Sequence, residues 1–189
     1  MNRTILTTLL ATLLIGICLH PLPAADTEPQ RDLYLEAAFL NGLDPDIVRA
    51  VAEIESSHRP YAISHAGALG LMQIMPATGA WFCGLRGRAL FVPRNNVHCG
   101  TAYLRYLLDK FNGSLPLALA GYYTGPGTVK RNGYRIPKRA YSYIRKFRAA
   151  YYRLKQRTPE QKLEETMSLL EEARRYTPLL RLSGGGFLI

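Results

Sequence analysis

The sequence predicts a mainly α-helical protein: one helical domain followed by a C-terminal helical tail. Three observations carry this. Apolar residues recur every three to four positions in successive segments, the period of a helix face and not of a strand. Those segments open on Asp-Pro, Ser or Thr-Pro and close on Asn-Gly or Gly-Pro, residues that start and stop helices. No stretch alternates apolar and polar residues long enough to read as a strand, and no internal repeat is visible. At 189 residues, 48% hydrophobic and 20% charged, the chain holds an ordinary domain core and is not a disordered polymer.

Residues 1–25 read as a secretory signal peptide: a short basic start, the apolar run 5–18, and small residues before Asp26. The run is shorter than the ~20 residues a membrane span needs. Cleavage after Ala24 or Ala25 is expected, and an uncleaved leader is the one route to the membrane. Ile17 stands where a lipoprotein signal wants a small residue before Cys18, which argues against lipid attachment. A domain over 30–157 and an amphipathic tail over 158–189 follow.

A polar linker at 27–30 leads to a helix over about 32–40 that stops at Asn41-Gly42. Asp44 caps the next helix with Pro45 at its first position, and Ile47, Val48, Ala50, Val51, Ala52 and Ile54 make it mostly buried. Two carboxylates lie near its end. Glu55 follows Val51 by four residues and Ala52 by three, so it shares the apolar face with Val48. Glu53 lies about 200° around the axis from Val51 and is expected to face solvent. Burial and the negative end of the helix dipole both disfavour an ionised Glu55. A raised pKa suits a general acid near neutral pH; the competing reading is an ordinary surface glutamate at a helix end.

Arg59-Pro60 is read as the exit from that helix. Gly67 and Gly70 permit positive φ and close backbone approach. Leu71, Met72, Ile74 and Met75 read as core or cleft wall, and Gln73 among them needs hydrogen-bond partners. Pro76 begins a short helix through Phe82. An irregular loop spans 84–95, and Asn96 reads as the cap of a helix over 97–111 with Leu104, Leu107, Leu108 and Phe111 in one stripe. Another helix, 117–123, breaks at Thr124-Gly125-Pro126-Gly127. A long helix after Pro137 carries a seam of Ala140, Ile144, Phe147, Tyr151 and Leu154. Thr158-Pro159 opens the tail helix, acidic early and basic late, before Gly184-Gly185-Gly186 and an apolar end.

The formal charge is +10, or +9 once Arg3 leaves with the leader, and residues 121–157 contain no Asp or Glu. Such a basic face suits an anionic polymer, an anionic membrane surface or nucleic acid; export removes nucleic acid from the partners. Losing Cys18 leaves Cys83 and Cys99, and an exported chain with two thiols is expected to join them. The bridge would stabilise the fold by roughly 3 kcal/mol on the chain-entropy account. Two unpaired, buried thiols are the alternative. His58, His65 and His98 lack metal-ligand spacing, so no metal and no cofactor is expected.

Three ordered blocks resemble the SLT family of lysozyme-like lytic transglycosylases. The first is Glu55-Ser56, then Ser64, then Gly67-Ala68-Leu69-Gly70-Leu71-Met72-Gln73-Ile74-Met75-Pro76-Ala77-Thr78. The second is Asn96-Val97 through Gly100 to Tyr103-Leu104. The third is Ala118-Leu119-Ala120-Gly121-Tyr122-Tyr123-Thr124-Gly125-Pro126-Gly127. The resemblance runs from about Asp32 to Phe147. It departs at Tyr123, where the family usually has Asn, and after Ile136-Pro137, where Lys138-Arg139-Ala140-Tyr141 replaces the usual Glu-Thr.

The resemblance implies a lysozyme-like helical fold that cleaves peptidoglycan glycan strands between N-acetylmuramic acid and N-acetylglucosamine. It makes Glu55 the catalytic acid and base, and Ser64, Gln73, Met75 and Tyr122 saccharide contacts. The attacking group is the muramoyl C6 hydroxyl, so the product is a 1,6-anhydro end and one carboxylate suffices where ordinary glycosidases use two. The implied location is the periplasm or cell envelope. The small size resembles members that open the wall for secretion, conjugation or pilus machinery. A goose-type muramidase, in which water attacks, and a non-catalytic wall-binding assembly factor are the alternatives.

Overall fold

A computed structural model describes residues 28–157 and, beyond them, 159–161, 163, 164 and 167, all six helical. The leader, the glycine run and the apolar end lie outside the described residues. Seven α-helices are found among those described: α1 Glu28–Leu40, α2 Pro45–Ser56, α3 Pro76–Cys83, α4 Pro93–Lys110, α5 Leu115–Thr124, α6 Pro126–Arg131 and α7 Tyr141–Lys155. Single 3₁₀ turns at Gly87–Phe91 and Lys138–Ala140 precede α4 and α7. The only β-type pairings among the described residues are two isolated bridges, Ile63 with Leu69 and Leu69 with Ile74. The fold is mainly α, as its apolar periodicity predicts.

The long α4 is the central post. It packs on α1, α3 and α5, while α7 lies along α2 and touches α5. Val97, Leu104 and Leu107 of α4 are fully buried with Val48 and Val51 of α2, Leu119 of α5 and Leu71 and Met72 of the loop between α2 and α3. Each such side chain contributes roughly 1.5–3 kcal/mol by leaving water. Gly121 of α5 permits the α4–α5 approach, because a Cβ there would meet the Phe111 ring at 2.8 Å.

Asp44 caps α2 through its Oδ1, which accepts from the Asp46 N–H at 2.9 Å. The same carboxylate takes the Tyr151 hydroxyl at 2.9 Å and Lys155 Nζ at 2.8 Å, so the end of α7 is tied to the start of α2. Burial opposes charge on Asp44, but these donors outweigh it and hold the carboxyl below its ordinary value. Lys155 is likewise held above the ordinary lysine range by Asp44 and Asp46, against its partial burial.

Several expectations need correction. The segment read as a polar linker is helical from Glu28. Glu53 faces solvent only in part: its side chain is 30% exposed and pairs with Arg153 of α7. The exit from α2 precedes Arg59-Pro60, because Ser57 and His58 turn into the left-handed region at φ 52° and 60°. Pro93, not Asn96, sets the start of α4, and Asn96 is buried inside its first turns. Thr124-Gly125-Pro126-Gly127 breaks one helix and at once begins another, α6, with Pro126 at its first position. On α7 the most buried stripe is Tyr143, Phe147 and Ala150; Ile144, Tyr151 and Leu154 flank it, half-buried.

Candidate active site

The site forms where the end of α2, the following loop, and the facing ends of α5 and α7 meet. The loop is held by a set of backbone and side-chain bonds. Ser56, the last residue of α2, is buried and donates its hydroxyl to Leu71 O at 2.7 Å, tethering helix to loop. Ser64 closes a tight turn: its Oγ accepts from Ala68 N–H at 3.0 Å, and its own N–H donates to Ala68 O at 3.0 Å. Leu69 and Ile74 exchange backbone bonds of 3.0 and 2.9 Å across a turn in which Gly70 and Gln73 take φ 76° and 48°.

Asn96 reads this loop from α4. Its Oδ1 accepts from Met72 N–H at 2.7 Å, and its Nδ2 donates to Leu69 O at 2.8 Å and Leu90 O at 2.7 Å. One buried amide thus serves three backbone groups, of which Leu69 O also accepts from Ile74 N–H. Gly70 is required beside it, since a Cβ there would sit 2.4 Å from Asn96 Nδ2 and 2.7 Å from Leu90 O. From α5, the Tyr122 hydroxyl donates to Met72 O at 2.8 Å. Gly100 makes room for that contact, because a Cβ would press on Met72 and on the Tyr122 hydroxyl.

A groove of about 280 Å³ opens alongside. It is lined by residues 73–75 of the loop, Thr78 of α3, Tyr103 of α4 and residues 122–125 from the end of α5. Gln73, Met75 and Tyr122, expected at a saccharide cleft, therefore all border it, with Met75 42% exposed. Gln73 Nε2 is occupied by Ala62 O at 3.1 Å and Gly70 O at 2.9 Å, leaving its side-chain oxygen as its remaining polar group. Ser64 is not among the lining residues; its oxygen shapes the turn.

Glu55 stands one residue from the end of α2, half-buried. Burial pushes its carboxyl from the ordinary 4.5 up to about 7, against the pull of a 2.6 Å hydrogen bond that the Tyr143 hydroxyl donates to Oε1. The Tyr122 phenol is close enough to feel the Glu55 charge, and burial with that charge keeps both Tyr122 and Tyr143 neutral donors well above the ordinary tyrosine range. The Tyr143 ring is covered by Tyr123, centroids 4.8 Å apart and planes 14° from parallel. Tyr122 and Tyr123 line the groove, whereas Glu55 itself is not among its lining residues and lies behind them, within electrostatic reach of Tyr122. No other carboxylate perturbs Glu55. Among the described residues no cluster of ligating side chains suits a metal ion.

Sequence reasoning missed Tyr143 as a partner of Glu55. Its signal was faint: it lies four residues before Phe147, on one face of a helix otherwise rich in exposed tyrosine. Tyr123, expected only as a departure from the family pattern, has a role in covering Tyr143. Cys83 and Cys99 are joined by a disulfide with Cα atoms 5.7 Å apart, binding the end of α3 to α4 behind the groove.

The chain is similar to known proteins over part of its length. Residues 32–144 match the family described as Transglycosylase SLT domain. The chain is 36% identical over 120 residues to the membrane-bound lytic murein transglycosylase C of Sodalis glossinidius, covering 54% of this chain and 33% of that protein. It is 35% identical over 129 residues to the protein of the same name from Photorhabdus laumondii, covering 60% and 36%. The chain thus spans about a third of the length of the curated relatives it matches. Among solved structures, an inactive mutant of the lytic transglycosylase Slt from Pseudomonas aeruginosa aligns with TM-score 0.49 and 35% identity, over 53% of this chain and 17% of that one. The 70 kDa soluble lytic transglycosylase of Escherichia coli aligns with TM-score 0.49 and 32% identity over the same shares. With the family match extending over more than half its length, the chain belongs to the SLT transglycosylase family.

Proposed function

We propose that this protein is a peptidoglycan lytic transglycosylase in which Glu55 acts alone as acid and base. The observation that carries this reading is the Glu55 carboxyl itself: half-buried, raised to about 7, held by one phenol, and beside a groove. Protonated Glu55 gives its proton to the glycosidic oxygen as the bond from the muramoyl C1 breaks. The resulting carboxylate takes the proton of the C6 hydroxyl of the same sugar as that oxygen bonds to C1. A 1,6-anhydro ring closes, the neighbouring sugar leaves with a free hydroxyl, and Glu55 regains its proton without consuming water.

Two further features support a wall polymer as substrate. Arg139 Nη2 donates to Thr124 O at 3.0 Å, which sets a guanidinium at the groove rim within an acid-free stretch, suited to the carboxylates of peptidoglycan stem peptides. The relatives in the comparison are named for murein, and the family they share with this chain supports placing it in the cell envelope. No helix among the described residues is long and apolar enough to cross a membrane. Service to a secretion, conjugation or pilus machine is the finer reading, with the basic α6–α7 face meeting an acidic partner; salt-sensitive pull-down tests it.

Mass spectrometry of digested sacculi decides the chemistry. Anhydro-muramoyl ends are expected. Reducing ends would replace this reading with a water-using muramidase, and binding without cleavage would leave a wall-binding factor.

A further inference from the structure

We infer that the glycan path does not end at the groove but continues over the exposed indole of Trp81, with the half-buried Tyr106 set edge-to-face beside it at 76°, a further sugar-binding subsite. The inference rests on the glycan-cleaving reading above and names residues outside the groove.

Trp81 is 70% exposed on α3 although it has ring neighbours on two sides: Phe82 at 5.8 Å and Tyr106 of α4 at 6.3 Å. Those neighbours are the outer rungs of a ladder that begins inside the groove. Tyr122 and Tyr103, both lining it, have centroids 5.8 Å apart. Tyr103 is followed by Phe82 at 5.3 Å and by Tyr106 at 5.9 Å, the latter pair stacked within 23°. Helical spacing explains the direction. Thr78 and Trp81 are three residues apart on α3, as are Tyr103 and Tyr106 on α4, so each groove-lining residue has a ring one turn further along the same face. The Cys83–Cys99 bridge locks the two helices together immediately behind these rings.

The indole lies exposed one turn beyond the groove-lining Thr78, and its chemistry selects the ligand. The axial C–H faces of pyranose rings are flat, weakly positive and tolerant of an aromatic face, whereas their hydroxyl rims need polar partners. Tyr106 supplies one such rim: Lys110 Nζ lies 3.1 Å from its hydroxyl and 5.3 Å from its ring centroid. An N-acetylated glycan strand running out of the groove meets an apolar face at Trp81 and polar groups at Tyr106 and Lys110. A rigid platform adds affinity at little ordering cost.

Trp81 is the only tryptophan in the chain, so its fluorescence reports on this surface alone. The full chain carrying Glu55→Gln, to prevent turnover, is titrated with N-acetylglucosamine oligomers of increasing length, and calorimetry measures binding independently. Short oligomers are expected to bind with Trp81 emission unchanged, and longer ones to bind more tightly with a blue shift. Trp81→Ala is expected to weaken the long oligomers by ~10-fold, the scale of one lost aromatic contact, and to leave the short ones unaffected. Long oligomers that bind by calorimetry while Trp81 emission stays constant would overturn the platform and leave the groove reading intact. Absence of binding by every oligomer would overturn both.

Discussion

The Tyr143 hydroxyl donates to Glu55 Oε1 at 2.6 Å across 88 residues of sequence, joining the end of α2 to the start of α7. This contact opposes the effect of burial: it favours the carboxylate, while the dry surroundings favour the acid. The balance leaves Glu55 near neutrality, able to give a proton and to take one back.

Removing the hydroxyl tips that balance. In Tyr143→Phe the carboxylate loses its donor while the ring remains to exclude water, so the Glu55 pKa rises further. The alkaline limb of the pH–rate profile is expected to move from near 7 toward about 8, with a lower maximal rate as the carboxylate becomes harder to form. An unmoved limb would show that the phenol does not touch the acting carboxyl in solution.

The same carboxyl has a stability signature. Its folded pKa, about 7, lies above the ordinary 4.5, so between these values the folded state holds a proton that the unfolded chain releases. Stability from this group is therefore complete below about pH 4.5 and lost as pH rises through 7. Glu55→Gln keeps the shape without the charge. It is expected to abolish cleavage, to match wild type in urea unfolding at low pH, and to exceed it by roughly 1–3 kcal/mol at about pH 8.

The Cys83–Cys99 bridge closes a short loop and constrains the unfolded chain. The double variant Cys83→Ala, Cys99→Ala is expected to lose ~3 kcal/mol in denaturant unfolding. Reductant should reproduce most of that loss in wild type and none of it in the variant.

Asn96 is the point at which a core helix dictates the site loop. Asn96→Ala strands Met72 N–H in a dry interior and takes a donor from the Leu90 and Leu69 carbonyls, the latter keeping its bond from Ile74 N–H. A cost of roughly 3–5 kcal/mol is expected, with loss of oligosaccharide binding in whatever fraction remains folded. Asn96→Asp sets a buried carboxylate oxygen against the Leu69 and Leu90 carbonyls, acceptor facing acceptor, so it is expected to be no more stable than Asn96→Ala.

Much of this protein follows from local residue chemistry. The helical class, the Asp44 cap, and a glutamate placed to become an acid depend on spacing, caps and residue type, which act within a few turns of the chain. The family likeness names Glu55 because its motif is a continuous stretch. What tertiary packing alone decided is everything that joins distant segments. Glu53 and Glu55 look alike as carboxylates on one helix, and only the docking of α7 gives the first an arginine and the second a phenol. Asn96 reads locally as a cap, yet burial against the loop gives it three backbone partners instead. Periodicity states which face is buried, but not what buries it, because the free energy of a contact depends on the partner that excludes the water.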